Sequence, residues 1–318
     1  MSGVTNSIVD SKAVARAGIA MEARAVHKHY GMVRAVDGVD LAVERGEIFG
    51  LIGHNGAGKS TLFKMMLGLI QPSQGDILVG GVSVAGDDFR AVRRSIGYLP
   101  ENVVLYDNLS GLETLQFFAR LKGVQTVQCL PTLERVGLAS AARRPLREYS
   151  KGMRQRLGFA QALLGTPRLL FLDEPTSGLD PQAIRDFYAI LRDLRNDGVT
   201  ILITSHILAE LQERVDRLAI MSAGKIVALG SVHSLRDQMK MPLRLTLRLA
   251  PVDVTRAQGL LQSVAGLRCE VCNVGLRVSC PRESKMVVLG ALGGLGASLL
   301  DLQLHEPSLE DVFFGFSD

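Results

Sequence analysis

An α/β fold with a parallel central sheet, followed by a smaller α+β module, is what this 318-residue sequence predicts. Three observations predict it. Residues 48–52 are wholly apolar and run straight into the glycine-rich stretch Gly53-His54-Asn55-Gly56-Ala57-Gly58-Lys59-Ser60-Thr61. Residues 168–172 are almost wholly apolar and end in Asp173-Glu174-Pro175, and residues 199–203 end in Thr204-Ser205-His206. Short runs that are apolar on both faces read as buried parallel strands, and open α/β sheets bind ligands at the carboxyl ends of such strands. Beyond residues 236–242 this pattern stops.

Bulk properties narrow the classes. The length suits two domains. A formal net charge of +4 is too slight to imply nucleic acid, and no nucleic-acid partner is expected. Four cysteines are too few for a disulfide scaffold, which points to a reducing compartment. Residues 286–300 form the longest nearly uncharged apolar run, but it is shorter than a membrane span and carries four glycines. The first residues include Asp10, Lys12 and Arg16 and do not read as a secretory signal. The expectation is a soluble chain that meets a membrane only through a partner.

Taken in order, residues 1–21 read as a flexible tail. Residues 22–27 and 35–43 alternate as two strands around a turn at Tyr30-Gly31. The strand at 48–52 leads through the glycine loop to a helix at 62–70. A turn and a strand at 76–79 follow, then a short strand at 96–99 running into Pro100-Glu101. Helical periodicity covers 114–122, 127–136 and 139–147. Ser150 is a good N-cap for a helix at 151–164. Pro181 opens a helix to 195 in the position proline favours. After the strand at 199–203 come a helix at 207–214 and a hairpin at 217–221 and 225–228. The remainder reads as strand 243–250, helix 253–264, strands 267–273 and 275–280, helix 283–293, strand 299–305 and a terminal helix 307–316. Its βαββαβ order predicts a ferredoxin-like module. The domains are therefore expected at 22–236 and 237–318.

The glycine stretch fits the phosphate-binding loop pattern between a strand and a helix. Backbone N–H groups of residues 53–61 can converge on phosphate oxygens, and the helix start adds donors and a positive dipole end. Lys59 supplies a charge for the β- and γ-phosphates, and the Ser60 hydroxyl can ligate Mg²⁺. Asp173 is the second expected Mg²⁺ ligand. Glu174 can act as general base toward the attacking water. The His54 side chain is expected at the surface rather than as a ligand.

With these residues in place, the chain over about 22–235 resembles the ATP-binding cassette ATPases, the motors of ABC transporters. Tyr30 stands at the adenine-stacking position. Ser150-Lys151-Gly152-Met153-Arg154-Gln155 resembles the signature motif, Ser177-Gly178-Leu179-Asp180 the D-loop, and His206 the switch histidine. The resemblance implies a RecA-like core with an antiparallel β subdomain and a helical subdomain. It implies ATP and Mg²⁺ as cofactors, and a homodimer in which Ser150 and Gly152 of one copy contact the γ-phosphate held by the other. It also implies that Asp180 connects the two sites, that His206 holds the γ-phosphate, and that permease subunits recruit the ATPase to the cytoplasmic face of the inner membrane. One position departs from the family: Glu101 stands where glutamine is usual. A glutamate can bind Mg²⁺ as a hard anion and add charge beside phosphates, or it can face the membrane subunit; the sequence leaves both open.

Residues 98–102, 118–123, 149–158, 161–165 and 306–311 are similar to ATPases of copper-processing transporters that support nitrous oxide reductase maturation. That implies a periplasmic β-helical copper-handling partner reached through the permease. ATPases of other ABC-2-type exporters of drugs, lipids or polysaccharides carry a related extension, and a soluble cassette protein without a transport role is a third reading. Cys269, Cys272 and Cys280 could bind Cu(I). On a strand, however, residues three apart point to opposite faces, and buried core cysteines are the expectation.

Overall fold

The computed structural model describes residues 18–238, 242–262 and 264–305. Most of the expected N-terminal tail and all of the terminal helix at 307–316, with the 306–311 segment, lie outside the described residues. The chain divides into two compact units between Gly230 and Ser231.

The first unit opens with β1 (Ile19–Tyr30), β2 (Val33–Glu44) and β3 (Ile48–Ile52), followed by α1 (Lys59–Met66). Next come β4 (Gln74–Val79), β5 (Val82–Ser83), α2 (Phe89–Arg93) and β6 (Ile96–Leu99). A mostly helical stretch holds α3 (Gly111–Lys122), α4 (Cys129–Arg135) and α5 (Lys151–Leu163). The unit ends with β7 (Leu169–Leu172), α6 (Pro181–Asn196), β8 (Thr200–Ser205), α7 (Leu208–Leu211), β9 (Arg217–Ser222) and β10 (Lys225–Gly230).

Two sheets result. One is antiparallel, ordered β2-β1-β4-β5; the other is ordered β10-β9-β3-β8-β7-β6, parallel except for β10 at its edge. The residues of β3, β7 and β8 are all buried, as their uninterrupted apolar runs require. Between the sheets α1 packs Leu62, Phe63, Met65 and Met66 into one apolar core. Phe63 meets Phe171 of β7 edge-on, with ring centroids 5.3 Å apart.

Register along the parallel sheet positions the chemistry. Leu99 pairs with Leu172, and the Asp173 amide donates to the Leu99 carbonyl at 2.9 Å. The ends of β6 and β7 therefore deliver Glu101 and Asp173-Glu174 side by side. This register needs a close approach of β6 to α5. A Cβ at Gly97 would lie 2.2 Å from the Ala162 carbonyl oxygen and 2.5 Å from Leu170 Cδ2. Gly97→Ala is therefore expected to destabilise the protein by about 1–3 kcal/mol, the usual range for overpacking a core. Denaturant unfolding of the full chain reads the shift in midpoint.

Two expected helices differ from the structure. Residues 139–147 form two 3₁₀ turns, Ala139–Ala141 and Leu146–Glu148, instead of a helix. Pro145 lacks an N–H and forces its predecessor out of the α region, and the chain there pairs with Ser110 and Leu109 instead. The helix expected at 207–214 is the four residues of α7. The Ser110 and Glu113 side chains form a reciprocal capping box on α3, and Gly123 closes that helix in the left-handed conformation.

The second unit contains α8 (Val232–Gln238), β11 (Leu243–Leu249), α9 (Val254–Leu261), β12 (Arg268–Cys272), β13 (Gly275–Cys280), α10 (Lys285–Gly293) and β14 (Leu299–His305). Its sheet is antiparallel in the order β12-β13-β11-β14, the split βαβ arrangement. β11 alternates strictly, burying Leu243, Leu245, Leu247 and Leu249 against the two helices. Cys280 belongs to this core, Cys269 packs at its margin, and Cys272 pairs with Gly275.

Candidate functional site

The loop after β3 wraps the start of α1. Gly58 is the N-cap residue at φ +103°, and a Cβ there would sit 2.3 Å from the Ala35 carbonyl oxygen. Only glycine accepts both conditions. The α1 N-cap carries no side-chain acceptor, so its first amides stay available to a ligand.

Residues 54–61 line a cleft of about 440 Å³ together with Glu101, Glu174, Ser177 and His206. That volume lies in the range of small-molecule sites, about 300–1,000 Å³. The remaining wall is Val33, Arg34 and Ala35 from β2, with Ala223 and Gly224 from the β9–β10 turn. Tyr30 is not among the lining residues: it ends β1, is half exposed, and lies under the Lys28 ammonium at 5.3 Å.

Lys59 is almost fully buried inside this loop. Its ammonium donates to the carbonyls of Gly53 and His54 and lies 3.9 Å from Glu174 Oε1. Burial lowers the Lys59 pKa, opposed by the charges of Glu174, Asp173 and Glu101. His54 contributes its backbone carbonyl, and its side chain is exposed.

Asp173 is buried at the end of β7. The Thr204 hydroxyl donates to its Oδ1 at 2.6 Å, and the Glu174 amide donates to Thr204 Oγ1 at 2.9 Å. Thr204 thus fixes both carboxylate residues at once. Sequence reading noted it only as the end of a strand; a hydroxyl closing an otherwise apolar run was the available signal. Burial pushes the Asp173 carboxyl up, the Thr204 hydrogen bond pulls it down, and the neighbouring Glu101 charge pushes it up again.

Glu174 has φ +47°, a left-handed backbone on a side-chain-bearing residue. Such strain costs about 1–3 kcal/mol and concentrates at functional sites. It turns the carboxylate into the cleft, where Oε2 lies 2.8 Å from His206 Nδ1. Lys59, Glu174 and His206 therefore form a connected triad. Water held beside Glu174 would face a base already placed by two cationic or dipolar neighbours.

The donors that face the cleft fit a magnesium ion. Ser60 and Glu101 line the cleft and offer a hydroxyl and a carboxylate, and the buried Asp173 at the end of β7 offers a second carboxylate, all hard oxygen ligands. Among the described residues, no three His, Cys, Asp or Glu side chains converge closely enough to cage a metal. Magnesium characteristically takes one or two carboxylates and completes its shell with substrate phosphates.

Ser150, Gly152 and Asp180 do not line the cleft. The Ser150 hydroxyl caps α5 by accepting from the Met153 amide at 3.2 Å. Asp180 caps α6 by accepting from the Ala183 amide at 2.8 Å. These two helix starts adjoin each other: a Cβ on Gly152 would lie 3.4 Å from Leu179 Cδ2. The buried Gln155 amide donates to the Pro175 carbonyl at 3.1 Å, tying α5 to the turn after Glu174. In the sequence Gln155 is only the last residue of the signature-like segment; its tie to Pro175 depends on the fold.

A phosphate-binding loop after a central parallel strand, with paired carboxylates at the end of β7, one strand beyond β8 in the same sheet, defines a P-loop nucleotide-binding domain. The sequence profile of the family described as ABC transporter matches residues 36–177. The daunorubicin resistance ATP-binding protein of Streptomyces coeruleorubidus is 35% identical over 90% of this chain and 92% of its own length. ATP-binding cassette sub-family A member 7 of mouse is 37% identical over 89% of this chain, but the chain spans only 14% of that protein. A solved ATP-binding subunit of an ABC transporter superposes with a TM-score of 0.64 at 33% identity, covering 69% of this chain and 92% of that one. The chain belongs to the ATP-binding proteins of ABC transporters, a family of ATP-hydrolysing enzymes.

Proposed function

We propose that this protein binds ATP with Mg²⁺, hydrolyses it in a homodimer, and drives an exporter through permease subunits. The observation that carries the reading is the Lys59–Glu174–His206 triad in the loop cleft, with Ser150 and Gly152 outside it. Incoming phosphates replace the Gly53 and His54 carbonyls as partners of Lys59. Glu174 is then released to accept a proton from water, and His206 turns to the γ-phosphate. Ser60 and Asp173 would hold Mg²⁺, which would supply neutralisation of phosphate charge and polarisation of the γ-phosphoryl group. The exposed ends of α5 and α6 serve a second copy: Ser150 and Gly152 offer helix-start donors to its γ-phosphate, and Asp180 lies on the path between the two sites.

The permease has a place to dock. Val103, Val104, Leu105, Leu115, Phe118 and Leu157 line an apolar groove of about 260 Å³ beside α3 and α5. Val104, Tyr106, Phe117 and Leu121 are exposed around it. Exposed apolar surface of this kind marks interaction sites, and a groove suits an inserted helix. Glu101 lines the cleft and Val103, Val104 and Leu105 line the groove, so nucleotide occupancy and docking bear on one stretch of chain. No helix among the described residues is long and apolar enough to cross a membrane. Peripheral attachment at the cytoplasmic face, through the permease, is the proposed location.

The drug-resistance relative favours an ABC-2-type exporter. A second reading, ATP-driven copper delivery for nitrous oxide reductase through a periplasmic β-helical partner, draws support from residues 98–102 and 149–158. Coexpression with its neighbouring permease tests the proposal. The protein should partition to membranes only with that permease and hydrolyse ATP there. Lys59→Ala should weaken nucleotide binding by on the order of a hundredfold, as loss of a buried charge-assisted contact does. Loss of nitrous oxide reductase copper on deletion separates the second reading from the first.

A further inference from the structure

We infer that Glu101 makes this cleft selective for the metal-loaded nucleotide and rejects the free polyanion. The inference deepens the nucleotide-binding reading and rests on it.

The geometry comes from the β6–β7 register. Leu99 pairs with Leu172, so the residues that follow each strand emerge together at the loop end of the sheet. Glu101 lines the cleft with Lys59, Ser60 and Glu174. Its carboxylate is felt by its neighbours: it pushes the Asp173 carboxyl up, supports the charge on Lys59, and contributes to raising the Tyr98 phenol, which burial pushes up to about 12. Glu174 lies 3.9 Å from the Lys59 ammonium, and the charges of Asp173 and Glu101 also act on it.

Charge then decides which form of nucleotide enters. Lys59 already lies within ion-pair distance of Glu174 and donates to the Gly53 and His54 carbonyls, so it has little charge to spare for a bare triphosphate. A glutamine at 101 would leave Glu174 as the one carboxylate among the residues lining the cleft; glutamate makes it two. Like charges at separations of several ångströms in a partly desolvated cleft repel by more than one factor of ten in affinity. A divalent ion arriving with the phosphates reverses the sign at this position, since Glu101 then faces a cation. Among the described residues no three such side chains form a cage for that ion, and magnesium characteristically completes its shell with substrate phosphates.

The test compares binding of fluorescent ATP and ADP analogues to the full chain in excess EDTA and in excess Mg²⁺. For the wild type, removing the metal should weaken binding far more than for Glu101→Gln. The ratio of the two dissociation constants should fall by about tenfold or more in Glu101→Gln, chiefly through tighter metal-free binding. Glu101→Asp, which keeps the charge, should retain most of the wild-type ratio. Ratios equal within threefold for wild type and Glu101→Gln overturn the inference, as does Glu101→Asp behaving like Glu101→Gln. If no form binds nucleotide with or without metal, the nucleotide-binding reading itself fails, and this inference with it.

Discussion

Glu174→Gln is expected to lower ATP turnover by at least about a hundredfold while nucleotide binding survives. Removing one positioned electrostatic or base contribution costs about 3–4 kcal/mol of barrier. The substitution keeps the volume and one hydrogen-bonding oxygen, so the left-handed backbone at this position is unchanged. What it removes is the charge that faces Lys59 at 3.9 Å and His206 at 2.8 Å. Two consequences follow from one change. Water loses its base, and Lys59 loses its competitor for phosphate, so ATP should bind at least as tightly as to the wild type. Retained ATP with no hydrolysis should hold two copies together. Phosphate release, fluorescent-nucleotide titration and size-exclusion chromatography with ATP read the three effects separately. Turnover within a few-fold of the wild type would remove Glu174 from the chemistry.

The triad explains why the resting cleft needs such residues. A base with a free carboxylate beside a bound nucleotide would meet water at any time. Here both Glu174 oxygens are engaged before phosphate arrives, one by Lys59 and one by His206. The two partners are the residues proposed to turn toward the γ-phosphate. Occupancy of the loop and exposure of the base therefore depend on the same contacts.

Much of this arrangement was legible in the sequence because its signals are local. The fully apolar runs at β3, β7 and β8 admit burial on both faces, and their polar ends mark the binding edge of the sheet. Gly58, Lys59 and Ser60 act within one turn of backbone. The C-terminal strands alternate cleanly, and β11 carries a leucine at every second residue. Non-local features were not legible. Nothing near Glu101 says which way it faces until the pairing of Leu99 with Leu172 is known. The wall made by Val33 to Ala35 depends on how β2 approaches the loop, and sequence reading placed attention on Tyr30, just across the turn. The helix expected at 139–147 failed because apolar periodicity persisted through Pro145, while that proline's missing donor and the pairing with Ser110 prevailed. Thr204 carries two hydrogen bonds to residues about thirty positions earlier, which no window of sequence contains.

The proposed homodimer gives the second large effect. Ser150→Asp and Lys59→Ala should each abolish turnover alone, and mixing them should restore it in part. Aspartate keeps an acceptor for the Met153 amide, so α5 remains capped. Its charge, however, repels a γ-phosphate presented by the partner copy. Lys59→Ala disables its own loop and leaves its Ser150 intact. In a mixed dimer one site joins an intact loop to an intact Ser150, and the other site carries both defects. With random pairing of equal amounts, half the dimers are mixed and one site in each is whole. Turnover should then approach about a quarter of the wild-type value if the sites act independently. Differently tagged copies, purified through both tags, raise this to about half. Doubly tagged dimers that contain both variants and stay inactive would show that one intact site cannot turn over alone. Activity of Ser150→Asp by itself would show that the α5 start, although exposed, is not part of any phosphate site.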